Sequence, residues 1–191
     1  MRLPVLDPLP TPAEMAAGYS LDTCGAEDAD ELAGVLCEAF EDPTWTAARV
    51  GSALLQAPDV STAYAVRCPQ IVATASTRYL PDRFPGSGYL HWVAVAPAFR
   101  GRRLGEAVSI AVLKECARLG RKDVWLETDD FRLAAIRTYL RLGFKPVCPD
   151  AEMMKRWRNI FDILRVDNDP PASTIVSAFY RGSAVSSGNE G

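Results

Sequence analysis

The chain has 191 residues, 48% of them apolar, and a formal net charge of −3. That length and composition suit one domain with short appendages and a sizeable core. A weakly acidic chain carries no overall basic field for nucleic acid, and no apolar run approaches membrane-spanning length, so neither partner is expected.

In chain order, residues 1–18 are proline-rich and read as an extended arm; the prolines interrupt the apolar stretch that a signal peptide would need. Tyr19–Leu21 is a candidate first strand. Gly25–Phe40 has apolar residues at 32, 35, 36, 39 and 40, which is helical spacing, with acids in the first turn where they complement the helix dipole. Thr46–Leu55 reads as a second short helix. Thr62–Arg67 and Ile71–Tyr79 read as a hairpin turning at Cys68-Pro69-Gln70. After a loop, Tyr89–Ala96 is apolar on both faces and belongs in the middle of a sheet. Leu104–Leu119 is a helix with Gly120 at its end. Asp123–Thr128 is another buried strand, Phe131–Leu142 a helix closed by Gly143, and Phe144–Val147 a short strand. Glu152–Leu164 is an amphipathic helix whose stripe of Met153, Trp157, Ile160, Phe161 and Leu164 is costly to leave uncovered, so it either docks on its own domain or meets a second copy of the chain in a homodimer. Thr174–Tyr180 is a candidate last strand, and residues 182–191 are small, polar and expected to be disordered. The domain therefore spans residues 19–181. Helices and a hairpin followed by β-loop-α-β-α-β predict an α/β (α+β) fold, one mixed sheet with helices on both faces.

The five cysteines are scattered and without CxxC spacing, which argues against a disulfide framework and a zinc site. With a single histidine, no His-rich metal centre is available, and no metal is assigned. A reduced, cytoplasmic protein is the expectation.

The chemistry concentrates after the central strand, in Val95-Ala-Pro-Ala-Phe-Arg-Gly-Arg-Arg-Leu-Gly-Glu106. A strand ends, a tight turn follows and a helix begins. The first helical N–H groups have no partner inside the helix and point into the turn, where the dipole adds positive potential. Gly101 and Gly105 let backbone approach a bulky anion, and Arg100, Arg102 and Arg103 supply charge that pairs with phosphate. The loop is neither a Walker loop nor a Rossmann fingerprint. Alone, these residues also fit an arginine-rich surface turn.

Arg100-Gly-Arg-Arg-Leu-Gly105 resembles the Q/R-x-x-G-x-G/A element of the GNAT superfamily of N-acetyltransferases, with Arg103 in the place of the first glycine. Further on, Arg132-Leu-Ala-Ala-Ile-Arg-Thr-Tyr-Leu-Arg-Leu-Gly-Phe144 resembles the family's N-x-x-A-x-x-x-Y-x-x-x-G-F. Ala135, Tyr139, Gly143 and Phe144 fit, and Arg132 replaces the asparagine. The two elements stand in the family's order. The resemblance implies a mixed sheet splayed open between strands four and five, here Tyr89–Ala96 and Asp123–Thr128, with acetyl-CoA as co-substrate in the cleft. It implies that Val93, Ala94 and Val95 line the pantetheine arm and thioester. Arg100, Gly101, Arg102, Arg103, Leu104, Gly105 and Glu106 then hold the diphosphate, and Arg132 and Ala135 adjoin the arm.

Acyl transfer to an amine needs a neutral amine, a stabilised oxyanion and a protonated leaving thiolate. Tyr139 is the candidate acid: Arg132, Ala135 and Tyr139 share one helical stripe, and the family's acid occupies this position. A phenol near pKa ~10 suits a leaving thiolate. His91 is the candidate base. Strand alternation puts Tyr89, His91, Val93 and Val95 on one face, and an imidazole near pKa ~6.5 suits taking a proton from an ammonium. Glu127 is a second candidate base, and Asp129 and Asp130 are candidates for attracting a cationic amine. The reading is an acetyl-CoA-dependent N-acetyltransferase (an acyltransferase) acting on a small-molecule primary amine. A non-catalytic CoA-binding regulator and a protein lysine or N-terminal acetylase are the alternatives.

Overall fold

The computed structural model describes residues 1–4, 8–11 and 14–165. It divides into two units, Met1–Lys145 and the segment from Pro146 onward. The first unit holds six strands, β1 (Arg2–Leu3), β2 (Ser20–Thr23), β3 (Val60–Cys68), β4 (Gln70–Arg78), β5 (Gly88–Val95) and β6 (Val124–Trp125), and four α-helices, α1 (Ala29–Phe40), α2 (Ala47–Val50), α3 (Leu104–Arg118) and α4 (Leu133–Arg141). In the second, α5 spans Ala151–Leu164. The expected strand Thr174–Tyr180 and the tail 182–191 lie outside the described residues.

The strands form one mixed sheet in the order β1-β6-β5-β4-β3-β2. β3 and β4 are the expected antiparallel hairpin, Cys68 pairing Gln70 across Pro69. β4 is buried from Ile71 to Thr77, as a strand between two others with a helix on each face must be. α1 buries Leu32, Val35 and Leu36 on one face of the sheet, with Trp45, Val50, Leu54, Ala65 and Ile71 in the same cluster. α3 covers the other face with Val108, Ile110, Val112 and Leu113, joined by Val72, Leu90, Val124 and Phe144. Those two apolar layers supply most of the burial that holds the sheet.

Three expectations change. Residues 2–3, read as part of an extended arm, form an edge strand antiparallel to β6, anchored by a 2.6 Å bond from Arg2 Nε to the carboxylate of Asp123, itself 1% exposed. The strand expected at Asp123–Thr128 is reduced to Val124–Trp125, because β5 lies beside it only at Gly88 and Tyr89. The strand expected at Phe144–Val147 shrinks to a single bridge between Arg2 and Lys145; Pro146 has no N–H to extend it. Counting β1, the splayed pair becomes β5 and β6. Within the second unit, α5 starts at an Asp150 N-cap whose side chain accepts from Met153 N–H at 2.7 Å, and its Trp157 and Phe161 rings meet at 5.8 Å, one turn apart.

Gly88 fixes the approach of α3 to the start of β5. A Cβ there would run into Cys116 Sγ and lie 3.2 Å from Cys116 Cβ, and Cys116 is fully buried. Gly88→Ala is expected to cost about 1–3 kcal/mol in urea unfolding through overpacking, with part of the loss returned by Cys116→Ala. Unchanged stability in the single variant would show that the sheet and α3 are free to separate there.

Candidate active site

β5 does not run straight. Thr74 pairs Ala94 while Ser76 pairs His91, so two residues of β5, Trp92 and Val93, stand opposite one of β4. Trp92 has φ +50°, the left-handed backbone of a bulge. The bulge overturns the expected alternation. Leu90, Val93 and Val95 lie with the α3 layer, whereas Trp92 and Ala94 lie with the α1 layer. His91 packs on Trp92, ring centroids 4.3 Å apart. It therefore does not share a face with Val93 and Val95, because the inserted residue inverts the side-chain phase beyond it. The same bend carries β5 away from β6, leaving the β6-facing edge from Leu90 to Val95 without a ladder partner among the described residues.

The cleft so opened has a volume of about 1040 Å³. Of the residues expected to bind or react, all but Arg102 and Asp130 line it: Tyr139, His91, Val93, Ala94, Val95, Arg100, Gly101, Arg103, Leu104, Gly105, Glu106, Arg132 and Ala135 all border it, as do Glu127 and Asp129. Arg102 turns away, donating to Tyr19 Oη at 2.6 Å and lying over the Phe99 ring.

At the loop, α3's first backbone bond runs from Ala107 N–H to Arg103 C=O. The N–H groups of Leu104, Gly105 and Glu106 are thus unclaimed by the helix. Arg103, in the glycine's place, keeps a glycine-like backbone at φ +59°. Its guanidinium is gripped by Glu106, and Arg141 reaches the same carboxylate at 3.3 Å. Glu106 is 6% exposed and sits in α3's first turn, where the dipole favours an acid. Gly105 brings helix against strand: a Cβ there would sit 3.4 Å from Val95 Cγ2. These groups fit a diphosphate with a flexible arm running along β5.

Tyr139 reaches the cleft from α4. It is 6% exposed, its ring edge packs on Phe144 at 6.0 Å, and burial pushes its phenol up to about 12, the Arg132 charge opposing only in part. Its hydroxyl hydrogen-bonds to no described residue. Arg132 is held by Asp129 at 2.9 Å and lies 5.0 Å from the ring centroids of both Phe40 and Phe131. It ties the end of α1 to the start of α4 while bordering the cleft.

His91 differs electrostatically from expectation. Burial, and then the Arg78 guanidinium 3.3 Å from Nδ1, push its pKa down to about 4. Asp59 holds Arg78 in place through a 2.6 Å bond to Nε. The imidazole is neutral at pH 7. Glu127 also borders the cleft. It is chelated by Arg83 at 2.8 and 3.2 Å and accepts from Tyr89 Oη at 2.8 Å. Burial raises its pKa, but these bonds outweigh it and the net shift is downward, so Glu127 is ionised. The Trp92 indole N–H is buried without a hydrogen-bond partner among the described residues, an uncommon and costly state for a buried donor. Sequence reasoning missed Arg78, Arg137 and Arg141. For the last two a signal was present, since both lie on one helical stripe with Ala134.

The mixed sheet thus parts between β5 and β6, with an anion loop directly after β5. The chain matches the Acetyltransferase (GNAT) family over residues 30–144, and it belongs to that family. Mycothiol acetyltransferase of Mycobacteroides abscessus is 42% identical over 67 residues, which are 35% of this chain and 23% of that protein. The enzyme of the same name from Nocardia farcinica is 35% identical over 74 residues, 39% of this chain and 24% of that one. The matched segments thus span about a quarter of the length of these relatives. Among solved structures, the ribosomal-protein-S18-alanine N-acetyltransferase of Escherichia coli superposes with TM-score 0.57 at 22% identity, covering 68% of this chain and 79% of that one. An aminoglycoside acetyltransferase from an uncultured soil metagenomic sample gives 0.58 at 15%, covering 72% and 93%. At those identities the likeness is one of fold.

The His91 environment has a measurable consequence. An unfolded histidine titrates near 6.5 and this one near 4. Between those values the unfolded chain binds a proton that the folded chain refuses, so this contribution to stability is complete above pH 6.5 and is lost as pH falls toward 4. Arg78→Gln should raise the His91 midpoint in an NMR titration and shrink that acid-side loss. A midpoint unmoved in the variant would remove Arg78 as a cause.

Proposed function

We propose that the protein is an acetyl-CoA-dependent N-acetyltransferase acting on the primary amine of a small molecule. The observation that carries this is the edge of β5, Leu90–Val95, which no described strand pairs, opening onto a cleft shared by the anion loop and the Tyr139 hydroxyl, which bonds to no described residue. Acetyl-CoA supplies the activated thioester. The N–H groups of Leu104, Gly105 and Glu106, with Arg100 and Arg103, hold its diphosphate. The edge of Val93, Ala94 and Val95 pairs with the amide-bearing arm as a neighbouring strand would, and Ala135 leaves room beside it.

Tyr139 is the general acid. A phenol held near 12 stays protonated at neutral pH and gives its proton up only to the strong base formed as the thiolate departs. Backbone N–H at the bulge faces the developing oxyanion. His91 and Glu127 share the amine side. Glu127, ionised, attracts the ammonium and passes its proton to water. His91, neutral and backed by Arg78, accepts a hydrogen bond from the amine or from a bridging water rather than storing the proton. The aromatic residues Phe40, Trp45, Trp92 and Phe131 wall the rest of the cleft, a lining that suits a small acceptor with an apolar body.

The reading is tested by incubating the protein with acetyl-CoA and a library of primary amines while following thiol release. Turnover with at least one amine is expected; tight CoA binding without turnover on any of them would leave a binding protein instead. With an acceptor in hand, Tyr139→Phe should lower kcat by about 10- to 100-fold, the usual range for a general acid, with acetyl-CoA affinity unchanged. A fall in affinity at constant kcat would make the hydroxyl a binding group.

A further inference from the structure

We propose that Arg132 is a specificity-determining residue: with Phe40 and Phe131 it forms a bridge across the cleft that admits a free small amine and shuts out the same amine on a polypeptide. The inference rests on the N-acetyltransferase reading above and names the device that keeps its acceptor small.

The bridge is a chain of contacts. The Arg132 guanidinium carbon lies 5.0 Å from the ring centroid of Phe40 and 5.0 Å from that of Phe131. Phe40 is the last residue of α1, and its ring meets that of Trp92 on β5 at 5.7 Å. Contact therefore runs unbroken from β5 through the end of α1 to the turn before α4. α1 and Trp92 belong to the apolar layer on one face of the sheet, whereas Tyr139 of α4 belongs to the layer on the other. Joining them means spanning the gap where β5 leaves β6. Phe40, Trp92, Phe131 and Arg132 all border the cleft.

The bridge is held rather than loose. Asp129 accepts from Arg132 Nε at 2.9 Å, which fixes the side chain and meets its charge. A flat guanidinium lies against aromatic rings as an ammonium cannot. With its charge already paired, Arg132 sorts acceptors by bulk.

Its place decides what it sorts. Trp92, where the bridge meets β5, stands between His91 on the amine side and Val93–Val95, where that reading puts the thioester. An extended peptide lying along the β5 edge needs open backbone on both sides of the reacting point, as an added strand does. The bridge crosses that course in its middle. A small acceptor needs room only for its own body, and the Phe131 ring, 75% exposed, is an apolar face for that body to cover.

Free small amines are compared, by kcat/KM with acetyl-CoA, against short unstructured peptides that present the same amine group at an N terminus or on a lysine. The wild type is expected to favour the free amine at least ~10-fold, the scale of steric discrimination by a pocket. That ratio should fall toward one in Arg132→Asn and in Phe40→Ala, through a gain on the peptide. Each ratio comes from one preparation, so unfolded protein cancels from it. Peptides acetylated as well as free amines by the wild type, or a ratio undiminished in both variants, overturns the bridge while leaving the acetyltransferase reading intact. No turnover of any amine, free or peptide-borne, overturns that reading, and the bridge with it.

Discussion

β5 touches β6 at only two residues, Gly88 and Tyr89, before the bulge at Trp92 bends it away. Every other property of the cleft follows from that departure. A sheet that parts in mid-strand leaves backbone donors and acceptors unclaimed, and among the described residues they border a cavity and pair with no other strand. The distortion is tolerated because the surroundings determine it twice over. Trp92 is held between the Trp45, Phe40 and His91 rings at 4.3 to 5.7 Å, and Gly88 locks the start of the strand against α3. A left-handed tryptophan costs energy that only such packing can offset.

The two sides of the cleft use charge differently. At the anion loop, arginines exceed acids and a buried glutamate arranges them. At the amine side, charges are paired almost one to one: Glu127 with Arg83, Asp129 with Arg132, Asp42 with Arg49. Pairing leaves that region near neutral and lined by aromatic rings, while the surplus at the loop favours a polyanion. The cleft is thus polarised, favouring an anion at one end and a largely apolar group at the other.

Much of this was legible in the sequence. The helices announced themselves by period, and the strand-loop-helix around Arg100–Gly105 with the later Tyr139-to-Phe144 element placed the cleft and its lining. What escaped was whatever depends on a single inserted residue or on distant pairing. Period-two reasoning cannot see the bulge, so it put His91 on the wrong face. The depressed basicity of His91 comes first from its burial and then from Arg78, adjacent across β4 and β5 but thirteen positions away in sequence. The edge strand at residues 2–3 was hidden by length, two residues being too few to show alternation. Arg102 looked equivalent to its neighbours because a loop's side-chain directions are set by what they meet, here Tyr19 and Phe99.

The Glu106 carboxylate has a mechanical meaning apart from its charge. It clasps Arg103, which belongs to the loop, and Arg141, which belongs to α4, so the two segments are fastened to one another across the cleft floor. Tyr139 stands two residues before Arg141 on the same short helix. One carboxylate therefore links the loop to the helix that carries Tyr139.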